Sequence, residues 1–243
     1  MAQGNPLFNQ KAFQQTLDAR VRVGEEMTLQ GTINKTFFLL FLCVSAGILS
    51  FNHYQQVAGL AFPASLITFV LAMIIIFHKK SAILLAPLYA IGQGICLGAV
   101  SAAYNIQYQG IVAQAVGITL LVFALMLFIY RTGIIAVNRS FIIGLTAATG
   151  AIALFYLVSL VLMLFGVQVP YFTSNSGISI AINVIICIVA AMNFLIDFKF
   201  IDQMTNEILA PKYMEWYAGF SLLVTLIWLY VEILRLLGRS RSR

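Results

Sequence analysis

The sequence predicts an all-α membrane protein, a bundle of seven transmembrane helices, from its composition and from the length of its apolar runs. Of the 243 residues, 61% are hydrophobic and only 9% are charged, and the mean hydropathy is +0.96. A water-soluble protein of this size has no core large enough to bury so much apolar surface. The runs are continuous and about 20 residues long, as in spanning helices, whereas β-barrel strands alternate over about ten residues.

Seven spans are predicted from the apolar runs, and at about 1.5 Å per residue most of them can cross a hydrocarbon core of about 30 Å. Their limits are residues 33–51, 57–77, 82–104, 110–130, 140–165, 177–198 and 217–237. The first two spans and the third and fourth are joined by short connections, so neighbouring spans are expected to be antiparallel. The predicted domains are a cytoplasmic tail at 1–32, a transmembrane domain at 33–238 and a basic tail at 239–243.

Basic residues are sorted between alternate connections, and this predicts the orientation. Those before or at the start of the first span, and after the second, fourth and sixth spans, are Lys11, Arg20, Arg22, Lys35, Lys79, Lys80, Arg131, Arg139, Lys199 and Lys212. The other three connections carry none, so the positive-inside rule places the N-terminus in the cytoplasm. Arg235, Arg239, Arg241 and Arg243 fall on the opposite side if the last span crosses fully, and on the cytoplasmic side if it is re-entrant. The length of the last apolar run favours a full crossing.

The tail before the first span has a weak helical pattern. Phe13, Leu17 and Val21 recur at four-residue spacing and lie among basic side chains. This spacing is typical of an amphipathic helix that lies in the membrane interface. A partly ordered cytoplasmic tail is the alternative, and the sequence does not choose between the two.

The sequence contains no motif that indicates catalysis. It has no HExxH zinc motif and no GxxxxGK[ST] phosphate-binding loop. His53 and His78 lie at the edges of spans, so a buried serine nucleophile would have no histidine base. An intramembrane aspartyl protease needs two aspartates, and only Asp197 lies deep in a span. We therefore expect a protein that is not an enzyme, needs no cofactor and does not bind nucleic acid.

Asp197 and Glu232 are the two acids within the apolar runs. An ionisable residue at membrane depth indicates a functional site, because lipid tolerates a buried charge poorly. Asn183 and Asn193 share a helix with Asp197 at a spacing that places all three on one face. This polar face is interpreted either as the wall of an ion or proton path or as a set of interhelical hydrogen bonds. With Asp197 at its end, the path interpretation is preferred.

Two further polar residues have a packing interpretation as well as a functional one. Gln93 lies mid-span beside a GxxxG motif formed by Gly94 and Gly98, which predicts a close helix contact bridged by the amide. Glu232 is followed three residues later by Arg235 on the same helix face, so a local ion pair would neutralise it. For Glu232 the structural pair and the functional acid both remain open.

Several separate segments carry a family resemblance. They are TLQGTINK at 28–35, APLYA at 86–90, GICLGAVS at 94–101, PKYMEWY at 211–217 and LYVEILRLL at 229–237. Over about residues 27–237 the chain resembles the bacterial branch of the Bax inhibitor/YccA-like (transmembrane Bax inhibitor motif) membrane family. The resemblance implies a seven-helix bundle around a central last helix, in a bacterial cytoplasmic (inner) membrane. It also implies a pair of buried acids on the last two helices, linked to a pH-sensitive calcium leak.

Transferred to this chain, the resemblance makes Asp197 the acid of the sixth helix and a tentative Ca²⁺ ligand. The second position is Glu232 in one register and Thr225 in the other. Depth favours Thr225, because Glu232 lies about 22 Å along the last helix from the end at which Asp197 is found. Gln93 stands where the family is expected to have an acid, and Lys199 replaces another acid close to Asp197. Both changes remove negative charge and weaken the expected Ca²⁺ binding. The charged neighbours of the proposed path are Arg235, Lys199 and Asp202.

Two function classes follow. The first is a passive, pH-sensitive Ca²⁺ or cation leak gated by a buried acid. The second is a non-catalytic regulator, because some relatives bind a membrane quality-control protease through an N-terminal tail. A leak requires Asp197 and tolerates deletion of the tail, whereas a tail-mediated regulator requires residues 1–30 and tolerates Asp197→Asn. A third interpretation is that the buried acid only fixes the packing.

Overall fold

The computed structural model describes residues 26–167, 169, 171 and 176–242. Their long helices are α1 Leu29–Asn52, α2 Ala61–Phe77, α3 Ala82–Gln107, α4 Ile111–Thr132, α5 Arg139–Leu164, α6 Gly177–Asp202 and α7 Met214–Arg241. Within the described residues, seven helices are long and apolar enough to cross a membrane, which confirms the predicted fold class. The amphipathic helix predicted around Phe13, Leu17 and Val21 lies outside the described residues.

Local side-chain chemistry sets where the helices begin and end. α1 begins four residues before the predicted limit because the Thr28 hydroxyl accepts a hydrogen bond of 2.9 Å from the Gly31 amide, an N-cap. The Asn138 side chain caps α5 in the same way, through the Phe141 amide at 2.8 Å. α4 is flanked by Gly110 and Gly133, whose φ values of 77° and 68° are in the left-handed region that glycine tolerates.

α7 is the central helix of the bundle, as the resemblance implied. It packs against α1, α3, α4 and α6. In the most apolar stretch of α7, 56% of the residues are buried, whereas in that of α5, at the periphery, 6% are buried. α7 is one unbroken helix of 28 residues, about 42 Å long. It therefore begins before the predicted limit of 217 and ends beyond 237, and it shows no re-entrant break.

The segment before α1 is tied to the connection between α6 and α7. The Met27 amide donates to the Ala210 carbonyl at 2.7 Å, and Glu26 forms an isolated antiparallel bridge with Pro211. α6 continues as one π-helical turn at Gln203–Glu207 before the chain reverses. The start of α1 and the start of α7 are thereby held side by side.

The predicted GxxxG contact is present between α1 and α3. A Cβ atom built on Gly94 would overlap the Cys43 carbonyl oxygen, and one built on Gly98 would overlap that of Gly47. The two backbones therefore touch where only glycine leaves room for them.

Candidate functional site

Asp197 lies near the end of α6 and faces α7. Its side chain is buried, with 8% exposed. The Ser221 hydroxyl donates to Oδ1 and the Thr225 hydroxyl donates to Oδ2, each at 2.6 Å. Ser221 and Thr225 are one turn apart on α7, so their hydroxyls point in the same direction. The carboxyl group consequently bridges α6 and α7.

Apolar side chains surround this bridge. Phe194 and Leu195 on α6 are completely buried, and Leu222 and Leu226 on α7 belong to the same core cluster. The region around Asp197 therefore has a low dielectric constant, in which an uncompensated charge is costly. Within the described residues, no lysine, arginine or histidine forms an ion pair with Asp197.

Thr225, and not Glu232, is the α7 residue opposite Asp197, in the register that depth favoured. Glu232 lies farther along α7 with 1% of its side chain exposed. It accepts hydrogen bonds from Asn183 at 2.9 Å and from Tyr156 at 2.7 Å. The described residues do not contain the pair of facing acids that Glu232 would have supplied. Asp197 lies near the end of α6, whereas Glu232 contacts Asn183 near its start.

The ion pair predicted between Glu232 and Arg235 is present, at 2.9 Å. Arg235 also stacks over the Tyr156 ring, 5.6 Å from its centroid. Arg239, expected in a basic tail, is instead buried in the last turns of α7. It donates to the carbonyl oxygens of Ser179 and Tyr171. The end of α7 is thus joined to α6 and to the α5–α6 connection.

The polar face predicted on α6 is divided between two neighbouring helices. Asn193 donates to the Thr149 hydroxyl of α5 at 2.9 Å, whereas Asn183 contacts Glu232 on α7. The prediction of a single polar wall along α6 is therefore wrong. The asparagines make interhelical hydrogen bonds, which is the second interpretation of this face.

The remaining predicted residues lie away from Asp197. Gln93 accepts a hydrogen bond of 2.9 Å from Thr68 and joins α3 to α2, so the prediction that its amide bridges the glycine contact, which lies between α3 and α1, is wrong. Lys199 is 3.7 Å from Glu207. Asp202 accepts hydrogen bonds from Asn206 at 2.6 Å and from Tyr130 at 3.3 Å.

Glu215 is a third buried acid, which was not predicted from the sequence. Its carboxyl group accepts hydrogen bonds from the Thr28 amide at 3.0 Å and the Thr28 hydroxyl at 2.9 Å, and it forms an ion pair with Lys35. Gly31 makes room for it, since a Cβ atom there would overlap the carboxyl group. The predicted limit at 217 excluded Glu215 from the last span. The signal was present, because segments 28–35 and 211–217 both carry the resemblance and meet here.

The three buried carboxyl groups differ in how their charge is balanced. Glu232 has Arg235, and Glu215 has Lys35. Asp197 has two neutral hydroxyl groups, from Ser221 and Thr225. Among the described residues, Asp197 is therefore the buried acid whose charge must be balanced by a proton or by a cation that arrives from outside.

The capacity of this site for Ca²⁺ is small. The described residues contain no group of three or more histidine, cysteine, aspartate or glutamate side chains that could hold a metal ion. Ca²⁺ takes about six to eight oxygen ligands. Asp197 and its two hydroxyl partners would supply only part of such a shell, so an ion at this position keeps much of its water.

Comparison with known proteins gives one family. The family described as Bax inhibitor 1 like matches residues 5–242, nearly the whole chain. No curated protein matches the chain.

Proposed function

The chain belongs to the Bax inhibitor 1-like family, and we propose that it acts as a passive, proton-sensitive path for cations, with Ca²⁺ as the conducted ion. The observation that carries this proposal is the environment of Asp197. A carboxyl group buried between two helices, with hydroxyl partners and no cation, stays neutral by binding a proton. When it is ionised, it attracts a cation from solution. The leak is the part of the expected family function that this geometry supports best.

Protonation of Asp197 favours the closed arrangement. The neutral carboxylic acid accepts a hydrogen bond at one oxygen and donates its own proton at the other, so both Ser221 and Thr225 remain its partners and α6 and α7 stay in contact around it. Ionisation leaves an uncompensated charge in an apolar surround, which costs several kcal/mol, about 3–5 by analogy with broken buried ion pairs. Separation of α6 from α7 relieves this cost because water and cations then reach the carboxylate. The path is therefore closed at low pH and opens as the pH rises.

The oxygen atoms released by this separation suit a hard cation. Carboxylate and hydroxyl oxygens are ligands that Ca²⁺ accepts. One acid gives weak binding, and weak binding allows the ion to leave as well as to enter. Glu215, through Thr28 and Lys35, braces the start of α7 on α1, and Glu232, through Asn183, braces α7 on α6 beyond Thr225. Movement would therefore be concentrated at the Asp197 contact between these two braces.

The basic residues indicate which side of the membrane the Asp197 gate faces. Asp197 lies toward the side of the bundle that carries Lys79, Lys80 and Arg131, which the positive-inside rule assigns to the cytoplasm. In our proposal the N-terminus is cytoplasmic and the membrane is a bacterial inner membrane. The gate then responds to the pH of the cytoplasm.

A Ca²⁺ flux assay in liposomes tests the gate. The purified protein is reconstituted, and entry of Ca²⁺ is measured with an internal dye at pH 6 and pH 8. We expect faster entry at pH 8 for the unmodified protein, and slow entry at both pH values for Asp197→Asn. Asp202→Asn is the matched control, since it makes the same change on the same helix at an exposed position, and it should behave like the unmodified protein. Equal flux at both pH values in the unmodified protein would contradict the proposal.

A second candidate is a non-catalytic regulator that binds a membrane quality-control protease through the N-terminal tail. One observation favours it: the backbone at Met27 and Thr28 is anchored to Ala210 and Glu215, so a force on the tail would reach the start of α7. Deletion of residues 2–25 separates the two functions. It should abolish protease binding under this candidate and leave the Ca²⁺ flux unchanged under the first.

A further inference from the structure

A lateral groove runs between α1 and α4. Both helices pack against α7 but make little contact with each other. The space between them has a volume of about 1050 Å³, and Leu222, Leu226 and Tyr230 of α7 form part of its floor. Asp197 itself is not among the lining residues, although Leu222 and Leu226 also belong to the apolar surround of the Asp197 contact.

The walls of the groove are apolar. Phe37 and Val44 of α1 and Leu120 of α4 line it, and all three are more than half exposed. The hydroxyl groups in the lining are already used: Thr36 donates to the Thr32 carbonyl at 2.8 Å, and Thr119 donates to a carbonyl of its own helix at 2.7 Å. These walls offer little to water or to an ion. An apolar molecule therefore fits the groove better than a hydrated cation does.

The length of the groove matches the membrane. Leu29 and Phe51 both line it, and the 22 residues of rise between them correspond to about 33 Å of helix. The hydrocarbon core of a bilayer is about 30 Å thick. A hydrocarbon chain that enters the groove would therefore remain in it over the whole depth of its leaflet.

Among the described lining residues, the charged side chains are Arg131 and Asp202, and both lie at one end of the groove. The oxygens of Asp202 already accept hydrogen bonds from Tyr130 and Asn206. Arg131 is exposed and makes no ion pair or side-chain hydrogen bond with another described residue. No described residue occupies its guanidinium donors, which lie beyond the apolar part of α4, where lipid headgroups are expected, in the fork geometry that matches phosphate.

We propose that this groove binds an anionic phospholipid, with an acyl chain between α1 and α4 and the headgroup phosphate at Arg131. The inference goes beyond the proposed cation path, since it uses neither Asp197 nor its hydroxyl partners. Basic residues between transmembrane helices on the cytoplasmic side are a recognised setting for anionic headgroups. The site would hold one lipid of the same leaflet as Arg131.

Native mass spectrometry of the full chain in detergent tests the headgroup contact. The protein is titrated with dioleoylphosphatidylglycerol and, separately, with dioleoylglycerol, which has the same chains and no phosphate. We expect tighter binding of the phosphatidylglycerol, weakened about fivefold by Arg131→Gln. Arg139→Gln is the matched control, because Arg139 is exposed on the same side but does not line the groove. Equal binding of the two lipids, or equal effects of the two substitutions, would overturn the proposal.

A pair of adjacent leucines tests the position of the chain. Leu120 lines the groove, whereas Leu121 does not, and both are largely exposed, so a tryptophan at either position leaves the core intact. Leu120→Trp should remove the tight phosphatidylglycerol adduct, and Leu121→Trp should keep it. The same adduct in both variants would place the lipid elsewhere and overturn the proposal.

Discussion

The Glu215 brace, in which the carboxyl group on α7 contacts Thr28 and Lys35, gives the sharpest stability prediction. The substitution that tests it is Gly31→Ala. A Cβ atom at Gly31 overlaps the Glu215 carboxyl group, so this end of the flexible side chain must shift, and we expect the shift to break its contacts with Thr28 and Lys35. Loss of a buried ion pair costs about 3–5 kcal/mol, and we take about 3 kcal/mol because 19% of the Lys35 side chain is exposed. Alanine in place of glycine in a helix returns about 1 kcal/mol. The expected net loss is about 2 kcal/mol.

Gly117→Ala is the matched control for this prediction. Gly117 is also within a transmembrane helix, and a Cβ atom there has open space around it. This substitution should therefore stabilise the protein by about 1 kcal/mol. Reversible unfolding in mixed detergent, followed by tryptophan fluorescence, measures both variants, and we expect them to differ by about 3 kcal/mol. If Gly31→Ala is as stable as Gly117→Ala, the Glu215 brace does not hold α1 on α7.

Three further substitutions test other contacts in the same unfolding assay. Gly98→Ala forces α3 away from the α1 backbone and should cost about 1–3 kcal/mol; an unchanged stability would contradict the close packing. Arg235→Met leaves Glu232 buried without its cation and should cost about 3–5 kcal/mol, and adding Glu232→Met should restore much of the loss. If the double variant is no better than the single one, the penalty has another source. Asn193→Ala removes the bond to Thr149 and should cost only about 0.6–2 kcal/mol without changing the pH response of the flux, because this side chain faces α5.

The sequence predicted the parts of the fold that depend on local patterns. Apolar runs of spanning length identified the helices, and the spacing of Gly94 and Gly98 identified a close helix contact. The ion pair of Glu232 and Arg235 could be predicted because residues three apart lie on the same face of a helix.

Contacts between distant residues were not predictable in the same way. The bond from Thr28 to Glu215 joins residues 187 positions apart, so it depends on how the first and last helices cross. The division of the polar face on α6 also depends on how helices pack in three dimensions. Asn193 and Asp197 are one turn apart, yet they contact different helices because α5 and α7 pack on adjacent sides of α6.

The limits of α7 were wrong for a related reason. Glu215 and Arg239 interrupt the apolar run, and their charges suggested that the span ends near them. In the structure each charge is buried against a specific partner, so the helix continues through both positions. Hydropathy measures the cost of burying a residue and does not detect a partner that offsets this cost.

The central claim is that Asp197 controls a cation path, and Ca²⁺ flux into liposomes at pH 6 and pH 8 tests it most directly. Our account predicts that the unmodified protein and Asp202→Asn conduct faster at pH 8 than at pH 6. It predicts that Asp197→Asn stays closed at both pH values. Flux through Asp197→Asn that rises with pH as in the unmodified protein would show that the gate lies elsewhere, and no flux above that of empty liposomes in any of the three would contradict the path itself.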